Sequence, residues 1–583
     1  MDHHPLDPGP FDPELLYLQP EHRSQHIWTS DLQLESQVRT RLGDSAWKIL
    51  AARPPHPRVL DILRRGGIYR CVEVGRVQHD RSLVTALIER WRPETHTFHL
   101  RTGEATITLQ DVEVIYGLQV DGRPLYIEEP HVLPPYRDEL TRLTGFAALD
   151  GHISGQSRLL LSALYAHLRL TDMQHPIGED TLQADVDRRA RLYLLIIFGA
   201  ILFPNTSGSH LSLRYLRYID DLAEIGCYSW GAAVLGYMYR GLCRCSMGTR
   251  VEVPAFCSLL QIWVWTRLRL FQPIPAHPPA DYLTVPMPYA RRWSRGVRRR
   301  AGTHHSLLPF RDQLDRMTAQ SAFIWTPYDH ILDELPAFCR AGQHMWMSRC
   351  PLIHMDIVEY HAPDRVLRQF GYVQNIPAAT VWEHDHYARD ERAGVDDAWR
   401  LYMQQQVQSW DVRMTSLAMV GHDTPIHVYM EWYMRITRII IGNPSRRRPD
   451  GLGYVALAGA YEALVRTVQT MRYESTARTE APETAEYAAR MIELAETGMR
   501  QAHDFERLHE RVPAAPPPTV ISHRKHVMNQ GPGRKKGRKG SKDDHVIEHV
   551  QIKRRKGDGN DGGGGGGVSL RPNRTLKAPT CGT

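Results

Sequence analysis

Lysine is missing from the middle of this chain: none occurs between Lys48 and Lys525 in a sequence of 583 residues. A pyridoxal phosphate enzyme needs a lysine to form its Schiff base, so the body of the chain has no residue for that chemistry. The GxxxxGK[ST] phosphate loop is absent as well, which removes the P-loop class. Cysteine is sparse, with 8 residues spread along the chain, and the opening MDHHPLDPGPFDPELL has neither a basic n-region nor a long apolar h-region. Reduced thiols in an intracellular compartment are the expectation. Long apolar runs are lacking too. The longest, 192–203, is about a dozen residues where a membrane span needs roughly 20, so it reads as a core helix and no membrane partner is expected. The sequon Asn205-Thr206-Ser207 then has no consequence.

What is present divides the chain by charge. The formal net charge is +7. From Ile521 onward about 15 Lys or Arg face about 5 Asp or Glu, so the tail holds roughly +10 and the remainder roughly −3. The body is not strongly basic, although local clusters stand at Arg291, Arg292, Arg295, Arg298, Arg299 and Arg300 and at Arg446-Arg447-Arg448. The first cluster is the candidate set for phosphate contact. A flexible N-terminal arm is expected over 1–56, one large helical body over 57–441, a C-terminal helical segment over 442–511 and a disordered Gly/Lys/Arg-rich tail over 512–583. The tail has no Phe, Trp or Tyr after Phe505 and a six-glycine run from Gly562. Any nucleic-acid contact by the tail should therefore be phosphate-driven and non-specific.

The segment 83–124 is the densest in signal. Leu83, Val84, Leu87, Ile88 and Trp91 recur at helical spacing up to Pro93. From His96 the period becomes two, with Phe98 and Leu100 facing Ile107 and Leu109 across a turn containing Gly103, which predicts a β-hairpin. Thr108 and Asp111 have capping-box spacing, and Val112, Ile115 and Tyr116 continue a short helix that Gly117 closes.

The run WRPETHTF, then GEATITLQDV, then GLQVDG resembles the plant mobile domain. Further matching blocks follow in order: YRDELTRLTGFA at Tyr136, LRYLRYIDDLAEIGCYSWGAAVLGYMYRGLCR at Leu213, FRDQLDRMTAQSAFIWTPY at Phe310 and PLIHMDIVEYHAPDRVLRQFG at Pro351. The fold expected is mainly α with short β-hairpins. The resemblance implies a non-enzymatic nuclear interaction module of the maintenance-of-meristems type. It also implies action in meristem maintenance, genome stability and transposable-element silencing, with nuclear proteins and a serine/threonine phosphatase-like partner. The alternative is a transposon-derived accessory or nucleic-acid-binding protein.

Candidate chemistry is thin beside its bland readings. Arg534, Lys535, Lys536, Arg538 and Lys539, then Lys553, Arg554, Arg555 and Lys556, form two basic clusters separated by a spacer. They have the form of a bipartite signal for an import receptor and predict a nuclear location. Gly557, Gly559 and Gly562 satisfy GxGxxG without a preceding strand or following helix. Gly421-His422-Asp423 and Gly442-Asn443-Pro444 lack the arrangement of metallophosphatase motifs. Asp111, Asp220, Asp221, Asp356 and Glu359 have no spacing that demands a two-magnesium nuclease. Cys243, Cys245 and Cys257, the set Cys339, His344, Cys350 and His354, and the run His384-Asp385-His386 are the metal-ligating types present. Scattered core thiols and surface histidines are the simpler reading, so no cofactor or metal is expected. Most tryptophans, Trp91, Trp230, Trp263 and Trp265 among them, read as core.

Overall fold

The computed structural model describes residues 7–443 except 30–36, 42, 127–134, 249, 269–270, 274–285, 295–306, 318–322, 379–385, 389–396 and 421–424, and beyond these Glu493 alone. The expected helical segment over 442–511 and the tail therefore lie, almost entirely, outside the described residues. What is described is mainly helical with short strands, paired antiparallel except for Arg39–Thr40 with Glu252–Val253.

Local sequence sets where the elements begin and end. Helix α1 (Arg23–Thr29) lies near the N-terminus. Helix α2 (Arg81–Ile88) starts at Asp80, whose carboxylate accepts the Leu83 N–H at 3.2 Å. It ends before Trp91, earlier than the apolar spacing predicts. Trp91 belongs instead to strand β1 (Trp91–Arg92), which pairs with β2 (Thr97–Leu100), itself paired with β3 (Gly103–Ala105). A single apolar residue fits either period, and here pairing with Phe98 decides it. The hairpin's register sets Phe98 against Ala105 and Leu100 against Gly103, so Ile107 and Leu109 are not its partners. Leu109 opens helix α3 (Leu109–Tyr116), where Thr108 and Asp111 form the expected capping box and Gly117 closes the helix at φ 64°.

Helix α4 (Gln183–Ile197) runs into a π-helical turn over Phe198–Leu202, and every residue from 192 to 202 is buried, as the core-helix reading requires. Helix α5 (Trp230–Ser246) is buried nearly all round. Gly236 lets it meet the hairpin of β4 (Cys350–His354) and β5 (Ile357–His361), because a Cβ there would stand 2.9 Å from the Leu352 carbonyl oxygen. The remaining helices named below are α6 (Cys257–Arg267), α7 (Leu308–Asp315) and α8 (Ile426–Ile436).

The interior is also ionic. Arg311 meets Glu89, Arg267 meets Asp111, Arg365 meets Glu104 and Arg90 meets Asp315, all with side chains at most 3% exposed. Arg92, by contrast, donates to the Gln19 amide oxygen at 2.8 Å. The expected flexible arm is corrected for residues 7–29. Leu16, Leu18 and Ile27 are buried, and His22 bonds the Trp91 carbonyl at 2.8 Å, so this segment is part of the core.

Candidate functional site

Four elements bring His96, Cys243, Glu359 and His386 together. His96 sits in the turn between β1 and β2, Cys243 on α5, Glu359 at the centre of β5, and His386 opens a short 3-10 turn, His386–Ala388. Their nitrogen, sulfur and oxygen atoms all lie within 4.8 Å of one another. His96 Nε2 is 2.9 Å from Glu359 Oε2 and 3.2 Å from His386 Nε2, which is 3.4 Å from the same carboxylate oxygen. His96, Cys243 and Glu359 are buried and the His386 side chain is 9% exposed. To enter the cluster His96 adopts φ 51°, a backbone conformation rare for any residue but glycine.

The surroundings orient these groups. Trp91 Nε1–H donates to Cys243 Sγ at 3.2 Å, and Tyr239 packs against both the Trp91 and the His96 ring at 5.1 Å between centroids. Arg240 pairs with the other Glu359 oxygen, Oε1. His96 Nδ1 lies 3.2 Å from the Tyr360 carbonyl oxygen. A carbonyl only accepts, so Nδ1 carries a proton, and Nε2 is the ring nitrogen turned toward the Glu359 carboxylate. Burial works to raise the Glu359 carboxyl, but Arg240 and the two imidazoles hold it well below its ordinary value. Burial, helped by the Glu359 charge, pushes the Cys243 thiol well above its ordinary value. The cluster has the donors to hold a proton or a cation.

A cleft of about 340 Å³ opens elsewhere, lined by Arg65, Arg70, Glu113, Asp121, Phe338 and His344. Burial raises the Glu113 carboxyl to about 7, against the N–H donors of Gly342 at 2.6 Å and the Trp346 indole at 2.7 Å. Arg70 stacks on Phe338 and donates to the Gly117 carbonyl, while Asp121 is held by Arg413 and His344. These charges are met by the protein itself.

The groupings suggested by sequence do not assemble. His344 bonds Asp121 and His354 bonds the Tyr215 hydroxyl at 2.8 Å, and neither Cys339, His344, Cys350 and His354 nor Cys243, Cys245 and Cys257 share a site, while His384 and Asp385 lie outside the described residues. Asp111 pairs with Arg267, Asp220 with Arg142 and Asp356 with Arg214, and among the described residues these acids do not converge. Arg291 is a correction to the phosphate set. It is 4% exposed and donates to the Glu73 and Val74 carbonyls, out of reach of a polyanion. Arg292 stacks on Tyr289 and Trp293, and Arg295, Arg298, Arg299 and Arg300 lie outside the described residues, as do Arg446 to Arg448 and both basic tail clusters. Cys243, Glu359 and His386 each belong to a different group nominated from sequence, and His96 to none. No spacing rule joins ligands 290 residues apart.

Residues 67–434 match the family model described as the plant mobile domain. The serine/threonine-protein phosphatase 7 long form homolog of Arabidopsis thaliana is 34% identical over 492 residues, 82% of this chain and 35% of that protein. Protein MAIN-LIKE 1 of the same plant is 30% identical over 74% of this chain and 80% of its own length. Protein MAINTENANCE OF MERISTEMS, also from Arabidopsis thaliana, is 29% identical over 73% of this chain and 82% of its own. The chain thus spans about a third of the first of these and 62% of the related MAIN-LIKE 2. No solved structure matches the chain.

Proposed function

The chain belongs to the plant mobile domain family, and on that premise we propose that it is a non-enzymatic nuclear interaction module. Its proposed role, after the name of one relative, is in the maintenance of meristems; genome stability and the silencing of transposable elements are proposed with it on the family resemblance alone. The observation that carries the non-catalytic reading is the fate of the interior acids. Glu89, Glu104, Asp111 and Asp315 each meet a buried arginine, an arrangement that fixes a scaffold rather than presenting carboxylates to a substrate. A phosphatase-like protein is the proposed partner, because a relative carries that name over a length of which this chain spans 35%.

Nuclear entry is assigned to the basic clusters 534–539 and 553–556, read by an import receptor. Deleting 521–583 should leave the protein in the cytoplasm, and nuclear imaging of the truncation checks this. The partner test is co-purification of the tagged full chain from plant nuclei at physiological salt, with bound proteins identified and bound DNA quantified. Stoichiometric recovery of a phosphatase-like or silencing protein supports the reading. Recovery of DNA without a stoichiometric protein partner replaces it with the accessory nucleic-acid-binding reading, which the basic tail favours.

A further inference from the structure

We propose that His96, Cys243, Glu359 and His386 are the four ligands of a structural zinc ion that fastens the His386 turn to the body of the protein. The proposal is independent of the partner reading above. Zinc takes nitrogen at about 2.0–2.1 Å, oxygen at about 2.0–2.2 Å and thiolate sulfur at about 2.3 Å, so ligand atoms of a tetrahedral site stand roughly 3.3–3.8 Å apart. Here the nitrogen and oxygen atoms stand 2.9, 3.2 and 3.4 Å apart, and the sulfur lies within 4.8 Å of all of them.

The polar groups converge as a set of donors. Glu359 Oε2 is buried, and two imidazole nitrogens face it at 2.9 and 3.4 Å. The Tyr360 carbonyl engages His96 Nδ1, so Nε2 is the ring nitrogen presented to the cluster. A cation placed between these groups meets both nitrogens, the carboxylate oxygen and the sulfur at once. The outer shell matches as well: the Tyr360 carbonyl fixes the His96 tautomer, Arg240 takes the Glu359 oxygen facing away from the cluster, and the Trp91 N–H supports charge on Cys243 Sγ. Two imidazoles, one thiolate and one carboxylate suit zinc, whereas magnesium and calcium prefer oxygen alone. Binding forms a sulfur–zinc bond, breaks the Cys243 S–H bond and releases that proton to water, with no change of oxidation state. Four protein ligands make the site closed, and the distance of 290 residues between His96 and His386 means that the ion closes a long loop.

The test uses the purified full chain without a histidine tag. Elemental analysis should find one zinc per chain, and the cobalt-exchanged protein should show visible bands of a tetrahedral centre with a near-ultraviolet thiolate-to-cobalt band. Cys243→Ser should abolish the thiolate band and lower metal affinity by at least tenfold. Cys227→Ser, which alters a thiol exposed among the described residues, should change neither. His386→Ala, at the rim of the cluster, serves if Cys243→Ser does not fold, and should lose zinc while keeping native circular dichroism and elution volume. A folded wild-type protein that takes up neither zinc nor cobalt overturns the proposal. A thiolate band that survives Cys243→Ser, or full zinc content in His386→Ala, overturns it too.

Discussion

Arg311 and Glu89 join through two hydrogen bonds, Nε to Oε2 at 2.7 Å and Nη2 to Oε1 at 2.6 Å, and neither side chain reaches solvent. Such a pair is costly to break from one side, because Glu89 then keeps its desolvation penalty with only Arg23, 3.9 Å away, to answer its charge. Arg311→Met should lower unfolding free energy by about 3–5 kcal/mol, and the double variant with Glu89→Gln should recover part of that loss. Equal urea midpoints for the single and double variants would contradict this account. Glu113 offers a pH test. Its folded value of about 7 is above the ordinary 4.5, so the folded protein binds this proton more tightly than the unfolded chain does. The corresponding stability is fully present below pH 4.5 and is lost as pH rises through about 7. Glu113→Gln imitates the protonated carboxyl and does not titrate. The wild type should therefore lose stability relative to the variant across this window, and parallel pH curves would sink the assignment.

Helix α3 shows what a short sequence signal can settle and what it cannot. The Thr108 hydroxyl caps the Asp111 N–H, while Asp111 Oδ2 accepts from the Thr108 N–H at 2.8 Å, a reciprocal pair fully contained in four residues and therefore readable in advance. Asp111 has a second duty that its neighbours in sequence do not announce: its Oδ1 accepts from Arg267 Nη2 at 2.8 Å and from the Tyr328 hydroxyl at 2.7 Å. Thr108→Ala should thus cost about 1 kcal/mol, the usual size of a lost cap, and Asp111→Ala about 3–5 kcal/mol, because Arg267 is then buried without its carboxylate. Denaturant midpoints compare the two, and equal losses would mean that Asp111 acts only as a cap. The same division between local and distant signals explains the hairpin. Its existence follows from the period-two pattern after His96, but its register depends on Phe98 meeting both Trp91 and Ala105. The four-ligand cluster was not readable at all as a cluster, since each ligand comes from a different element and their spacing has no motif.

At the scale of the whole molecule, the chain's beginning and the end of its body are mutual partners. Phe11 and Asp12 donate their N–H groups to the Arg435 carbonyl at 2.8 and 2.9 Å, and Ile439 donates to the Pro8 carbonyl at 2.9 Å. Further along, the Leu18 N–H reaches Glu94 at 2.8 Å and His22 reaches the Trp91 carbonyl, so the same segment covers the strand that supports the His96 cluster. A sequence rich in Pro, His and Asp reads as a loose arm because its apolar residues are few, yet Leu16, Leu18 and Ile27 are all buried against partners far away in the chain. Burying side chains of that kind contributes about 1.5–3 kcal/mol each, so removing residues 1–29 should cost several kcal/mol. The loss should be uneven. Helix α8 and the 437–441 stretch lose the backbone bonds from residues 8–12, and Arg438, which donates to Gln25 at 3.0 Å and has its value lowered to about 9 by burial, is left facing water. Limited proteolysis of the truncated protein should therefore cut first between 426 and 443, at protease levels that leave the full chain intact. A truncation that melts and digests like the full-length protein would show instead that this segment is dispensable and that the body holds its C-terminal helix unaided.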